Sequence, residues 1–244
     1  MSVLARRRAM MGGKKGFVHG TWEDLFRAID AGTYATEYAV GEVLPLDLGS
    51  TYGAIGAEIV GFNIDTISDS TDTASVTFVS KHLIKVKHRF NPETSGTTEG
   101  TGPIGGWGKC ELRSYLQNTI LPLFPNVVKN RISTVKKYSS GFNTSNQFVQ
   151  NMPSDDNIWI PSSRELCKDA GNTIESLGPR YTGLNTSAKR TKIPAGGSSA
   201  GTWITRTGYN SKNTNIWICS TSGSVSSTTA TSTNNYYAVG FCVG

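Results

Sequence analysis

NTNIWICSTSGSVSSTTATSTNNYYAVGFCVG, residues 213–244, contains no charged side chain. Two apolar runs, Ile216-Trp217-Ile218 and Ala238-Val239-Gly240-Phe241-Cys242-Val243, bracket a long Ser/Thr/Asn/Tyr stretch. A disordered tail of that polarity would not close on consecutive apolar or small residues, because nothing would draw them out of water. The pattern predicts a terminal strand docked in a core, preceded by an uncharged loop of hydroxyls and amides. Such a surface offers hydrogen bonds and stacking without strong electrostatics. It suits sugar or protein recognition better than catalysis or nucleic-acid binding.

Upstream, residues 202–206 read as a strand, and residues 171–201, rich in Gly, Ser and Pro, as a long insertion. Residues 158–166 read as a strand running into a short helix capped by Ser162 or Ser163, with Glu165 nearby. Residues 109–121 carry Leu112, Tyr115, Leu116 and Ile120 at helical spacing, with Pro122 and Pro125 as the stop. Residues 127–135 could add a further helical turn, whereas 91–108 and 139–156 read as polar loops. Nearer the N-terminus, residues 38–44, 57–64 and 74–80 have strand length and β-branched or aromatic enrichment, separated by turns at 49–56 and 65–72. Thr21 and Asp24 stand at N-cap and N3 of an amphipathic helix that ends at Gly32. The layout is α+β. It divides into a basic arm (1–16), a helix-plus-strand part (17–90) and a second part (91–244) continuous with the preceding strands.

A chain of 244 residues with 37% hydrophobic content can bury a core, and 27 glycines imply many turns. No apolar run approaches the roughly 20 residues that span a bilayer, so membrane insertion is not expected. The net charge of +6 first points to nucleic acid. Its distribution points away, because Arg6, Arg7, Arg8, Lys14 and Lys15 crowd the N-terminus and the rest of the chain is nearly balanced. No apolar segment follows that arm, so it does not read as an export signal. A flexible tail is its plainer meaning, and an anchor that docks on a partner is the sharper one. Lys81 to Arg89 forms the densest basic run of the body and reads as an edge strand defended by lysines.

Cys110, Cys167, Cys219 and Cys242 are widely spaced and read as buried thiols; a Cys219–Cys242 bridge would require neighbouring strands. His19, His82 and His88 lack metal-ligand spacing, and Asp65, Asp69 and Asp72 lack the calcium-loop pattern. No serine sits in a nucleophile elbow. No metal, cofactor or catalytic group is therefore expected. Trp107, Trp159 and Trp203 each sit beside a strand or helix signal and read as core pillars.

Gly106-Trp107, Leu112-Arg113-Ser114-Tyr115-Leu116, Ile158-Trp159-Ile160-Pro161-Ser162 with Glu165, Trp203-Ile204-Thr205-Arg206 and Val239-Gly240-Phe241-Cys242 form a set. Together with the lead-in from Trp22 to Phe62, the set resembles a domain of unassigned function common in bacterial genomes, prophages and tailed phages. Members of that family are similar to the C-type lectin fold, which phage receptor-binding proteins and sulfatase-modifying enzymes also use. The family's usual run at Trp203 is of a Trp-Leu-Arg-Ser type, from which this chain departs.

The resemblance implies a virion structural protein, made in the host cytoplasm, that displays a lectin-like domain for attachment to a host-surface glycan or protein. Tyr209, Asn210, Asn213, Asn215, Trp217, Asn234, Asn235, Tyr236 and Tyr237 would supply the contacts, a paratope-like composition. The basic arm would anchor the chain to other virion proteins, in a symmetric homo-oligomer. A decoration, collar or fibre component without a receptor is the alternative. An oxidising enzyme of the formylglycine-generating type, using Cys219 and Cys242, is a further one.

Overall fold

A computed structural model describes residues 20–93, 96–166 and 175–244. The anchoring residues Arg6, Arg7, Arg8, Lys14 and Lys15, together with His19 and Cys167, lie outside the described residues.

The capping box read from Thr21 and Asp24 forms, and helix α1 (Trp22–Asp30) follows it. The Thr21 hydroxyl accepts from the Asp24 amide at 3.2 Å, and the Asp24 carboxylate accepts from the Thr21 amide at 3.1 Å. The helix buries Trp22, Leu25, Phe26 and Ala28. Trp22 lies edge-on to Phe78, ring centroids 5.4 Å apart. Two single-turn helices, α2 (Tyr34–Glu37) and α3 (Gly49–Tyr52), come next. Only β1 (Val43–Leu44) remains of the strand expected over 38–44, because Gly41 at φ 95° interrupts the extended run.

The central sheet is antiparallel, in the order β1, β2 (Ala57–Phe62), β3 (Val76–Ser80), β11 (Gly240–Val243) and β4 (Ile132–Ser133), with β7 (Ile158–Trp159) also paired to β11. The closing apolar run is thus the hub of the sheet. Phe241 stacks on Phe78 at 5.1 Å and meets Phe124 edge-on at 5.2 Å. Gly240 is required at its position, since a Cβ there would stand 2.7 Å from the Trp159 indole nitrogen. Trp107, Trp159 and Trp203 are wholly buried, as pillars should be.

A second layer consists of the hairpin β5 (Val135–Phe142) and β6 (Phe148–Asp156), and of the sheet β8 (Trp203–Gly208), β9 (Asn215–Cys219) and β10 (Val225–Thr229). Neither β5–β6 nor β10 was expected, since both segments read as polar loop. In β5 the inward positions Val135, Lys137 and Ser139 are buried and alternate with half-exposed Lys136 and Tyr138. The strand period is present, but its core face carries a lysine and a serine. The hairpin crosses β8 where Gly208 meets Gly141; a Cβ on Gly208 would lie 2.9 Å from the Gly141 Cα.

Other expectations need correction. Residues 81–89 form no strand. Their amides bond to carbonyls of separate segments (His82 to Ile55, Leu83 to Ile193, Ile84 to Tyr237), and Leu83 and Ile84 are buried. The loop over 91–108 does have apolar anchors, Ile104 and Trp107. Helix α4 (Glu111–Tyr115) continues as a π-turn over Leu116–Ile120, burying Leu112, Leu116 and Ile120 as the spacing required. α5 (Asn126–Lys129) ends before β4, so 127–135 is only partly helical. Within 175–201, α6 (Ser187–Arg190) is flanked by buried Tyr181 and Lys192, so this part of the insertion packs inward.

Candidate functional site

The face predicted for recognition splits in two. β8 pairs with β9 on one side, while the Tyr236 backbone bridges Trp203 on the other. On the β9 side, Trp217 is half-buried, and Tyr209, itself half-buried, meets its ring edge-on at 4.8 Å. The Tyr209 amide donates to the Asn215 carbonyl at 2.9 Å. Asn215 and Trp217 share a face with Ser227 and Thr229 of β10, because directly opposed residues point the same way. Exposed Asn210 sits beyond the end of β8, and the Asn213 amide donates to Asn146 at the β5–β6 turn, 2.8 Å away. Lys212 is the sole charged residue between Tyr209 and Gly244.

On the other side of β8, Asn234 is exposed and Tyr236 half-buried, with the Lys87 ammonium 4.9 Å from the Tyr236 ring centre. This patch is therefore not neutral. Asn235 and Tyr237, both expected to contact a ligand, are buried. The Asn235 carbonyl takes the His88 amide, the Tyr237 carbonyl takes the Ile84 amide, and the Tyr237 ring packs edge-on to Tyr115. The irregular 81–89 segment binds the backbone carbonyls of Asn235 and Tyr237. Five of the nine residues thus lie on the β9 side of β8, with exposed Lys212 among them in sequence: Tyr209, Asn210, Asn213, Asn215 and Trp217.

Behind this sheet lies a charged cluster that the spacing of the sequence did not reveal. Asp65, Lys137, Glu165 and Arg206 are each at most 1% exposed. The Lys137 ammonium donates to Asp65, to Glu165 at 3.2 Å and to the Tyr181 hydroxyl at 2.6 Å. Arg206 grips Glu165 with two nitrogens at 2.6 and 2.7 Å, and donates to the carbonyls of Tyr138 (2.9 Å) and Ile160 (2.7 Å). Burial alone would raise the Glu165 pKa, but Arg206 and Lys137 overcome it and hold the carboxyl down at about 2. Tyr181 is pushed well above the ordinary phenol range, by burial first and then by the Asp65 and Glu165 charges, so it keeps its proton. Glu175 accepts from the Ser140 amide and the Thr207 hydroxyl, and burial raises its pKa. The reading of 65–72 as a simple polar turn therefore fails at Asp65. Exposed Asp69 and Asp72 fit it. The Ser162–Glu165 reciprocal bonds foreseen as a cap do form, at 3.0 and 3.3 Å, although a turn rather than a helix follows.

A cleft of about 290 Å³ opens elsewhere, lined by Glu58, Lys81, His82, Lys189, Thr191 and Lys192 among others. Lys192 is buried there, donating to the Ser80 carbonyl at 2.6 Å, with Glu58 at 3.5 Å. Desolvation lowers its pKa despite Glu58. The thiols of Cys110, Cys219 and Cys242 are free, and burial raises all three, Cys219 to about 11. Cys219 and Cys242 occupy different sheets, so the bridge between them does not form. Among the described residues no helix is long and apolar enough to cross a membrane.

The family described as a domain of unknown function, DUF6273, matches residues 74–243. The match runs from just before β3 to the end of β11 and takes in Lys137, Glu165, Tyr181 and Arg206, but not Asp65. No curated protein and no solved structure matches the chain. The chain belongs to the DUF6273 family.

Proposed function

We propose that this DUF6273 chain is a structural protein of a tailed-phage virion that presents a C-type-lectin-like domain for attachment to the host surface. The observation that carries this reading is the face built from Tyr209, Asn210, Asn213, Asn215 and Trp217. It sets an aromatic pair in a stretch of amides and hydroxyls whose one charged residue is Lys212. Aromatic rings over a rigid sheet give stacking area at little conformational cost, and amides adapt their hydrogen bonds. That chemistry fits a neutral glycan or an uncharged protein patch. It also argues against nucleic acid, whose affinity depends on phosphate-binding cations. The free thiols, raised by burial, are poor nucleophiles, which favours binding over catalysis.

In this reading the C-type-lectin-like fold is the scaffold. Arg6, Arg7, Arg8, Lys14 and Lys15 anchor the chain to other virion proteins as a symmetric homo-oligomer. No cofactor and no membrane insertion are involved, and the protein reaches the virion after synthesis in the host cytoplasm. The test is binding of purified protein to host cells and to a broad glycan array. The wild type is expected to bind, and the pair Tyr209→Ala and Trp217→Ala to lose binding while keeping the wild-type melting transition within a few degrees. Failure of the wild type to bind, with normal assembly onto particles, would establish the decoration role instead. Deleting residues 1–16 is expected to spare the fold and abolish incorporation.

A further inference from the structure

The Lys137–Asp65 contact has three properties that ordinary ion pairs lack together. Both groups are sealed from water, at 1% and 0% side-chain exposure. A second buried carboxylate, Glu165, stands 3.2 Å from the lysine nitrogen. The Trp159 ring lies 3.6 Å from the nitrogen and the Tyr181 ring 5.3 Å, so the amine sits against aromatic surface. Each partner is also held by independent bonds. The Asp65 carbonyl accepts from Ala74, and its second carboxylate oxygen accepts from Thr77 at 2.8 Å and from Tyr181 at 3.1 Å. Lys137 lies in β5, whose entry is stitched to the Asp65 segment by the Lys136 amide on the Thr66 carbonyl. A nucleophile and a carboxyl fixed in contact without water react as an effectively unimolecular system, with a large gain over the same groups free in solution.

We propose that Lys137 and Asp65 join spontaneously in an intramolecular amide, an isopeptide cross-link between positions 72 residues apart. The ammonium first passes a proton to the carboxylate oxygen it touches, which leaves an amine lone pair beside a carboxylic acid. The amine lone pair then attacks the side-chain carboxyl carbon (Cγ) of Asp65 and forms the C–N bond. The oxygen held by Thr77 and Tyr181 carries the developing negative charge, and those two hydroxyls are its donors. Glu165 accepts a proton from the now cationic nitrogen and returns it to the departing hydroxyl. The C–O bond breaks and one water leaves. An ammonium and a carboxylate enter; an amide and a water result; nothing is oxidised or reduced. Closure removes one cation and one anion, and the Glu165–Arg206 pair stays balanced. Glu165 and Tyr181 are positioning and proton-handling groups for a single turnover. The proposal does not depend on the attachment reading, since no residue of the proposed recognition face takes part.

Intact-mass measurement on the denatured, purified full chain is the direct test, followed by proteolysis and peptide sequencing. The expected result is a mass lower by one water than the sequence requires, with one branched peptide linking the Asp65 and Lys137 fragments. Lys137→Arg should restore the full mass. Asp65→Asn offers a check that retains reactivity: it would release ammonia instead of water and converge on the wild-type cross-linked product. Glu165→Gln should slow closure and leave a mixture of linked and open chains. A wild type at full sequence mass, with the two fragments recovered separately, overturns the proposal without reference to any variant. So does a Lys137→Arg chain that still lacks one water.

Discussion

Arg206 and Tyr209 are near neighbours in sequence and live in opposite environments. Arg206, inside β8, is buried and spends its donors on Glu165, Tyr138 and Ile160. Tyr209, just past the strand, leans on half-buried Trp217, in a stretch of sequence with one charge. The charged side chains are inside and the uncharged ones outside, an inversion of the usual partition. The inner cluster persists because cations, carboxylates, Tyr181 and backbone carbonyls satisfy one another. The outer face is tolerated because amides and hydroxyls bond water as readily as a partner. If the second region is the recognition face proposed above, stability and recognition are separable by mutation.

The largest effect is expected at the inner cluster. Arg206→Leu takes the two-nitrogen guanidinium grip from buried Glu165 and leaves Lys137 as its remaining cation, and should cost about 3–5 kcal/mol in urea unfolding. Arg206→Leu combined with Glu165→Leu should recover much of that loss, since replacing both charges by apolar groups is often near neutral. A double variant as unstable as the single one would show that the guanidinium's bonds to the Tyr138 and Ile160 carbonyls dominate instead.

Acid should reproduce the effect reversibly. The folded pKa of Glu165, about 2, lies below its ordinary 4.5. Its contribution is present in full above pH 4.5 and drains away as pH falls toward 2, a loss on the order of 3 kcal/mol. Unfolding midpoints measured across that window should fall with pH. The Glu165→Gln protein should show a flatter profile.

Gly240→Ala comes next. The added methyl meets the Trp159 indole at 2.7 Å, so overpacking should cost about 1–3 kcal/mol by thermal melting. The smallest effects belong to the outer face. Asn213→Ala removes one exposed amide contact with Asn146 and should change stability by no more than about 0.5 kcal/mol. A larger cost there would mean that the face is structural, and the contrast with the core would weaken.

Much of the apolar framework was legible. The capping box at Thr21 and Asp24, the β2, β3, β8 and β11 runs, and the three buried tryptophans all follow from spacing and composition. The polar interior was not. β5 repeats every second residue, but the repeat is carried by Lys137 and Ser139, which any hydrophobicity count scores as surface. β10 hid for the same reason, its Ser and Thr residues lying on an edge strand that is half open to water. The buried ions come from four separate segments, and no local motif signals that Asp65, Lys137, Glu165 and Arg206 will meet. Composition named nine candidate recognition residues but could not distinguish half-buried Trp217 from buried Tyr237. What separates them is tertiary: the Tyr237 carbonyl takes the Ile84 amide and its ring packs on Tyr115, whereas Trp217 meets half-buried Tyr209.

The place of β11 in the central sheet has a kinetic consequence. Thr77 of β3 meets Cys242 of β11 across a sequence separation of 165. β3 cannot acquire that neighbour, nor can β4 and β7 be tied in, until almost the whole described chain has been searched through. Loop closure of that length is slow, so refolding should fall in the millisecond-to-second regime of non-local β topologies or slower. Until it does, the open flank of β3 is a bare strand edge, the species from which aggregation would start.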